Sequence, residues 1–230
     1  MAQITLGPLV SDIAGSIGPT TFQRGNGQHF VRRKPLPILR RTKYTGNTRT
    51  LTAELSRAWG ALSSGDRGNW ESEASALTWY DRFGNVILGK GYWLFLRCNQ
   101  NLQLVGKGLI STPATPPVIP ALVGALITSS QVGKLEFGLT TPNPVPASMY
   151  LVIAATPPMS AGRGSPFSAL RIITVVPPTT GGPWLLDTDY SAYYGTPGVV
   201  GRKVFVKAWL IDVASGYAGP PVVVEAIFTP

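Results

Sequence analysis

The stretch Leu51–Tyr80, LTAELSRAWGALSSGDRGNWESEASALTWY, organises the whole chain, because two periodic segments meet in it at a short break, Ser63-Ser64-Gly65. The spacing predicts two short helices whose tryptophans pack in a small core between them. Ser64 is the predicted N-cap of the second helix, and Thr48 or Thr50 that of the first. The apolar stripes are Leu51, Leu55, Ala58, Trp59 and Leu62 in the first helix, and Trp70, Ala74 and Leu77 in the second.

A third helix is predicted after Gly91. Leu94, Cys98, Leu102 and Val105 keep helical spacing, and Gly106 stands where a C-cap glycine is expected. Cys98 is interpreted as a core residue on this stripe, because the only histidine of the chain lies in a different element. The helix is apolar around much of its surface, so it is either the centre of its domain or meets another subunit. The candidate subunit contacts are Tyr92, Trp93 and Phe95.

Positive charge is concentrated at the N-terminal end. The formal net charge is +9, and residues 1–50 contain a single acid, Asp12. A basic segment on a near-neutral body typically faces nucleic acid, an acidic protein surface or a membrane, although it can also be a solvated tail. The candidate binding residues for nucleic acid or an acidic partner are Arg24, Arg32, Arg33, Lys34, Arg40, Arg41, Lys43 and Arg49.

This basic segment is predicted to hold one hairpin followed by an extended arm. Gly25-Asn26-Gly27 is a tight-turn signal, so Thr20–Arg24 is predicted to pair with Gln28–Arg32. Residues 33–49 are predicted to be extended, since two prolines exclude a helix near their start. A segment of this kind has no core of its own and becomes ordered by lying on another surface.

The C-terminal half reads as β structure. After a stiff proline-rich linker, STPATPPVIP, strand candidates recur at regular intervals, which is typical of an antiparallel β-sandwich. Alternation is clearest in residues 203–210, where Val204, Val206, Ala208 and Leu210 share one face. The strand candidates are Ala121–Thr128, Lys134–Leu139, Ser148–Ala155, Leu170–Val176, Tyr190–Tyr194, Arg202–Asp212 and Val222–Phe228.

The predicted fold class is therefore α+β with several domains. Residues 1–50 form an extended basic arm with a small β-hairpin, 51–110 a helical domain of about three helices, 111–120 a linker, and 121–230 an immunoglobulin-like or fibronectin-type β-sandwich. A single cysteine allows no intrachain disulfide and favours maturation in a reducing cytoplasm. No signal peptide and no transmembrane segment are predicted, because the longest uncharged run is broken by prolines.

Two resemblances follow from these residues. The final stretch, KVFVKAWLIDVASGYAGPPVVVEAIF, resembles the last hairpin of a fibronectin type III or immunoglobulin-like domain, and Tyr193 or Tyr194 resembles the tyrosine near a sandwich corner. Residues 15–110 resemble a family of uncharacterised phage and prophage virion-associated proteins. That family's features are matched here by Ile17-Gly18…Phe22…Arg24, Val31-Arg32-Arg33-Lys34-Pro35, Trp59…Leu62-Ser63…Arg67…Trp70 and Gly91-Tyr92-Trp93-Leu94-Phe95…Asn99-Gln100-Asn101.

The second resemblance implies a bacteriophage structural protein located in the virion and made in the host cytoplasm. Such a protein would be part of the capsid, the vertex or the neck of the particle. The partners it implies are other virion proteins, further copies of this chain in a homo-oligomer, and packaged nucleic acid bound by the basic arm. An alternative is an HMG-like DNA-binding protein, because the helical pair resembles the middle of an HMG box, although the expected long basic third helix is absent.

No enzymatic chemistry is predicted. His29 is the only histidine, so no multi-His metal site or His-based triad is apparent, and no catalytic residue, cofactor or metal site is assigned. Asp187 and Asp189 would share one face of a strand and could hold Ca²⁺, but exposed turn acids are commoner. A further alternative is an adhesive or carbohydrate-binding sandwich, for which the candidate stacking residues are Trp184, Tyr190, Tyr193, Tyr194 and Tyr217.

Overall fold

The structure is a computed structural model that describes residues 2–4, 10, 12–25, 28–34, 43–80, 84–128, 134–165, 169–196 and 200–228. Over these residues, four helices accompany antiparallel strands, which confirms a mixed α+β fold. The chain divides into two compact units, Met1–Thr48 and Arg49–Pro230. The helices are α1 (Lys43–Ala61), α2 (Ser64–Ala76), α3 (Gly91–Leu104) and α4 (Asp187–Tyr194).

The strands of the first unit are β1 (Ala2–Ile4), β2 (Gly15–Ile17), β3 (Thr20–Gly25) and β4 (Gln28–Arg33). They form one antiparallel sheet in the order β1-β4-β3-β2. The predicted hairpin is confirmed, and each of its strands is one residue longer than expected. The two outer strands were not predicted, because residues 2–17 alternate only weakly.

The prediction that residues 33–49 are extended is wrong for residues 43–49, which lie in α1, whereas Arg33 is extended as the last residue of β4. Residues 35–42 lie outside the described residues, but α1 already begins at Lys43. The apolar face around Leu55 packs against other helices and holds the middle of α1. Once that helix exists, each further residue adds one backbone hydrogen bond at a small propensity cost. The helix therefore grows N-terminally through polar residues that carry no periodic signal.

The predicted helical pair is confirmed. Leu55, Trp70 and Ala74 are buried, and the other residues of both stripes pack around them. The N-cap of α2 is Ser63 rather than Ser64, since the Ser63 hydroxyl accepts a hydrogen bond from the Asp66 backbone N–H at 3.0 Å. Two adjacent serines made this one-residue difference invisible in the sequence.

Gly106 ends α3 as predicted. It has a positive φ of 71°, and its backbone N–H donates to the Gln103 carbonyl at 3.1 Å. The Lys107 N–H donates to the Leu102 carbonyl at 2.8 Å. This pair of bonds is the Schellman arrangement, which favours a glycine at the left-handed position.

The remaining strands belong to the second unit. These strands are β5 (Trp79–Tyr80), β6 (Val86–Ile87), β7 (Leu126–Thr128), β8 (Glu136–Gly138), β9 (Met149–Ala155), β10 (Met159–Ser160), β11 (Arg171–Val176), β12 (Trp184–Leu185), β13 (Arg202–Asp212) and β14 (Val222–Ile227). The short strands β5 and β6 form a small hairpin between α2 and α3. A three-stranded sheet has the order β12-β8-β7. A larger sheet contains β11, β9, β13 and β14 as successive neighbours, and β10 also pairs with β13.

Six of the seven predicted C-terminal strands are present, in whole or in part. The prediction of a strand at Tyr190–Tyr194 is wrong, because these residues end α4. A segment of five residues can fit both the strand period and the helical period. Asp187 and Asp189 in the first turn of α4 favour the helix, because negative side chains stabilise a helix N-terminus. Tyr190 and Tyr194, four residues apart, then lie on one face and donate to the carbonyls of Thr156 and Ala155 at 3.0 and 3.1 Å.

Side chains from both C-terminal sheets meet in one core. The inward face of β13 supplies Val204, Val206, Ala208 and Leu210, as its alternation predicted. Phe137 of the smaller sheet stacks on Trp184 with ring centroids 6.1 Å apart. The opposite face of β13 is also covered, because Trp209 packs in a cluster with Val105, which follows α3. The helices and strands of the second unit therefore share contacts.

Candidate functional site

The first unit displays the basic residues that the sequence singled out, but on both faces of its sheet. Arg24 is paired with His29 and Arg33 with Thr20, so these two arginines lie on the same face. Arg32 follows Val31 on β4 and lies on the opposite face. The sheet is therefore a two-sided basic surface, not a single patch.

Only part of the predicted basic set is brought together. Arg24, Arg32, Arg33 and Lys34 belong to this sheet and its end, where they are exposed. Arg40 and Arg41 lie outside the described residues. Lys43 begins α1, and Arg49 is an exposed residue of α1 in the second unit.

Arg24 has an acidic partner. Its guanidinium donates two hydrogen bonds to the Asp12 carboxylate, and His29 Nε2 lies 3.1 Å from Asp12 Oδ1. The hydrogen bond from Arg24, followed by that from His29, holds the pKa of Asp12 below its usual value. Asp12 offsets the charge of Arg24, so the other basic residues described in this sheet and at its end are Arg32, Arg33 and Lys34.

We expect Arg24→Gln to raise the pKa of Asp12 toward its usual value. A carboxyl group whose pKa is lowered by folding contributes stability above its unfolded pKa and loses that contribution as the pH falls through its folded pKa. The variant should therefore reduce this acid-side dependence of stability. Carbon-13 NMR titration of the Asp12 carboxyl would measure the shift, and Arg32→Gln is the matched control on the other face. An unchanged Asp12 titration would show that Arg24 does not hold this carboxylate in solution.

The predicted subunit contacts separate into buried and exposed residues. The prediction that Phe95 contacts another subunit is not supported, because its side chain is buried in the helical core. Its ring centroid lies 5.3 Å from that of Trp59 and 5.4 Å from that of Trp70. Tyr92 is half-buried, with its hydroxyl 2.7 Å from Ser56 Oγ. Trp93 is 41% exposed, with Lys90 Nζ 5.4 Å from its ring centroid. Helical spacing places Phe95 beside Leu94 on the buried stripe, so only Trp93 is strongly available for contact.

Trp93 adjoins an exposed apolar surface that the sequence reading did not identify. Its ring lies 6.3 Å from Trp79 of the β5–β6 hairpin, and Leu88 after that hairpin is 79% exposed. We call these residues, with Tyr80, Val86 and Ile87, the hairpin surface. The run Val86-Ile87-Leu88 was the available signal, since a short hairpin cannot bury three consecutive apolar side chains.

Those residues of the phage-family resemblance that lie in the helical segment hold the helices together. Ser63 caps α2, and Arg67 donates to the carbonyls of Trp59 and Gly60 at 3.2 and 2.6 Å, so it caps the end of α1. Trp70 Nε1 donates to the Ser111 carbonyl at 2.7 Å. This set of residues therefore closes the α1–α2 corner and fixes the chain that leaves α3.

Gly91 permits close packing of α2 and α3. A Cβ at this position would lie 2.6 Å from the Glu71 backbone nitrogen and 2.7 Å from the Trp70 carbonyl carbon. The Gly91 N–H donates to Glu71 Oε2 at 2.8 Å. The side chain of Glu71 thereby satisfies one of the first N–H groups of α3, which the helix leaves without an internal acceptor.

The two asparagines of α3 attach this helix to distant segments. Asn99 is fully buried and bonds both backbone groups of Ile110. Asn101 Nδ2 donates to the Gly216 carbonyl, in the turn after β13, at 2.8 Å. Both asparagines belong to the motif that carries the phage-family resemblance. Local spacing could not predict that they bond Ile110 and Gly216.

The interpretation of Cys98 as a core residue is confirmed. Its side chain is buried in the helical core, and desolvation raises the pKa of its thiol to about 12. A thiol with so high a pKa is almost entirely protonated at neutral pH, and the thiolate is the nucleophilic form.

The C-terminal residues considered for metal or sugar binding are placed differently from the prediction. Asp187 and Asp189 lie in the first turn of α4, not on a strand, and Asp187 accepts a hydrogen bond from the Leu135 N–H. The described residues contain no group of three or more His, Cys, Asp or Glu side chains suited to a metal ion. Of the five candidate stacking residues, Trp184 and Tyr190 are buried, whereas Tyr193 is exposed.

Comparison with known proteins gives a partial likeness. No family model matches the chain. It is similar to proteins described as "Probable potassium transport system protein Kup" from Brucella ovis, Brucella canis and Brucella suis, each 31% identical over 141 residues. The aligned part is 56% of this chain, which spans only 21% of the length of those relatives. Among the described residues, the helices are too short or too polar to cross a membrane.

Proposed function

We propose that this protein is a structural protein of a bacteriophage virion that assembles through contacts with other copies and other virion proteins. The observation that carries the proposal is that each of the two units exposes a feature suited to binding. One is the basic sheet with Arg32, Arg33 and Lys34, and the other is the hairpin surface around Trp93 and Leu88. Exposed apolar surface next to aromatic and basic residues is typical of a protein contact.

The residues of the phage-family resemblance support the same proposal through their structural use. They fix the helical corner and attach α3 to the segment after it, so the helical part is a rigid platform. The basic sheet would bind phosphates or acidic protein faces without sequence preference. Because the chain covers a small fraction of the Kup proteins, we do not assign potassium transport to it.

We further propose that the C-terminal strands form a fibronectin-type or immunoglobulin-like sandwich. In chain order, β7, β8 and β12 occupy one sheet, whereas β9, β13 and β14 are neighbours in the other. This matches the distribution of strands A, B and E against C, F and G in that architecture. Tyr194 lies between β12 and β13, the place in chain order where a corner tyrosine occurs, and its hydroxyl donates to the Ala155 carbonyl of β9.

The proposal predicts that the chain is a stoichiometric component of particles. Particles should be purified by density gradient from the lysate of a host that expresses the encoding phage or prophage, and their peptides quantified by mass spectrometry. We expect a fixed ratio of this chain to the major capsid protein across gradient fractions. Absence from particles, with tight and salt-dependent binding to duplex DNA, would instead favour the HMG-like alternative.

A further inference from the structure

A cleft opens at one side of the C-terminal strands. Its volume is about 330 Å³, and its walls come from the end of β11, the following proline-rich turn, β12 and the first turn of α4. Among the described residues, β11 and β12 are the terminal strands of their sheets. The cleft therefore lies where both sheets have an open edge, which is a common position for an incoming extended segment.

Trp184 in the wall of this cleft has an unusual polar group. Its side chain is 7% exposed, and its indole N–H is buried with no hydrogen-bond partner among the described residues. The six-membered ring lies against Gly182, where a Cβ would come within 3.0 to 3.1 Å of three ring carbons. The nitrogen is at the opposite end of the indole. A buried donor without an acceptor is unfavourable, so a small shift of Trp184 that opened this N–H to the cleft would favour an occupant that brings a hydrogen-bond acceptor.

The remaining walls specify the rest of the occupant. Asp189 is half-buried and supplies negative charge, while the neighbouring Asp187 carboxylate accepts a hydrogen bond from the Leu135 N–H. Val176, Pro183 and Leu185 supply apolar wall. A matching occupant carries a backbone or side-chain acceptor, apolar side chains and a cationic group within a short extended segment.

We propose that this cleft binds the proline-containing basic segment of a second copy of the chain, residues 35–41, PLPILRR. Prolines have no N–H, so their carbonyls are available as acceptors for an indole donor, and proline-rich segments dock in aromatic-lined grooves. Leucine and isoleucine side chains match the apolar wall, and Arg40 or Arg41 would pair with Asp189. This inference rests on the proposed function, because it names one contact through which copies assemble.

The test uses a full chain in which Arg40→Glu and Arg41→Glu prevent its own arm from competing. A synthetic peptide covering residues 33–43, RKPLPILRRTK, is titrated into this chain, and the indole N–H resonances are followed by nitrogen-15 NMR. Loss of one resonance in Trp184→Phe assigns the Trp184 signal. We expect the peptide to shift this signal in a saturable way. Asp189→Asn should weaken binding about tenfold, whereas Glu225→Gln, outside the cleft, should leave it unchanged.

Control ligands make the inference falsifiable. A peptide with Pro35 and Pro37 replaced by alanine and Arg40 and Arg41 replaced by glutamate should not shift the Trp184 signal. Equal shifts with that peptide, or a shift with N-acetylglucosamine but not with the basic peptide, would overturn the proposed occupant. If the chain is present in particles while the peptide leaves Trp184 unchanged, the cleft contact fails and the virion function stands. If the peptide binds but the chain is absent from particles, the function fails and the cleft contact stands.

Discussion

Gly216→Ala is expected to reduce the free energy of unfolding by about 2–5 kcal/mol, the sum of a backbone cost and a packing cost. Gly216 has a positive φ of 73°, a region that alanine adopts only with strain. A Cβ there would overlap the Cys98 carbonyl oxygen and lie 2.9 Å from its carbonyl carbon. The Cys98 carbonyl cannot move easily because it belongs to the backbone of α3. The Gly216 turn cannot move easily because Asn101 donates a hydrogen bond to its carbonyl.

Chemical denaturation followed by tryptophan fluorescence would measure this loss. The matched control is Gly106→Ala, since Gly106 has a φ of 71° but nothing within 4 Å of the added Cβ. It should show the backbone cost alone, about 1–2 kcal/mol. If the two variants lost equal stability, the close approach of the Gly216 turn to α3 would not be a rigid contact.

Local periodicity predicted much of this fold. The stripes around Leu55 and Trp70 identified the helical core, and the alternation of β13 identified the inward face of the larger sheet. These elements are long enough for their apolar residues to fit clearly either the helical period of about 3.6 residues or the strand period of two. The short segment Tyr190–Tyr194 was too ambiguous, and its helix is held by two tyrosine hydroxyls that reach distant carbonyls.

The candidate site was less predictable, because its properties depend on pairing between distant residues. Composition identified the basic N-terminal residues. The structure adds that Arg32 and Arg33 lie on opposite faces of the sheet and that Asp12 forms an ion pair with Arg24. Similarly, helical spacing marked α3 as apolar on many sides. The packing of Phe95 between two tryptophans decided which of its residues remain exposed.

Asn99→Leu is expected to destabilise the chain by about 2–4 kcal/mol, because it leaves backbone groups without partners in a buried place. Asn99 Oδ1 accepts from the Ile110 N–H at 2.8 Å, and its Nδ2 donates to the carbonyls of Phe95 and Ile110 at 3.1 and 3.3 Å. Leucine has a similar volume but neither polar group. Thermal and chemical denaturation would measure the change, and Gln103→Leu, at an exposed position of the same helix, should change stability by less than about 0.5 kcal/mol.

Asn99→Asp separates the acceptor role of this side chain from its donor role. One aspartate oxygen can still accept from the Ile110 N–H, but the other would face two carbonyl oxygens and must be protonated to donate to them. Burial and these carbonyls should raise the pKa of the new carboxyl in the folded state. The variant should then be most stable at acidic pH and lose stability as the pH rises from the unfolded to the folded pKa. A deficit independent of pH would show that folding does not raise the pKa of this carboxyl, which would contradict the donor role of Asn99.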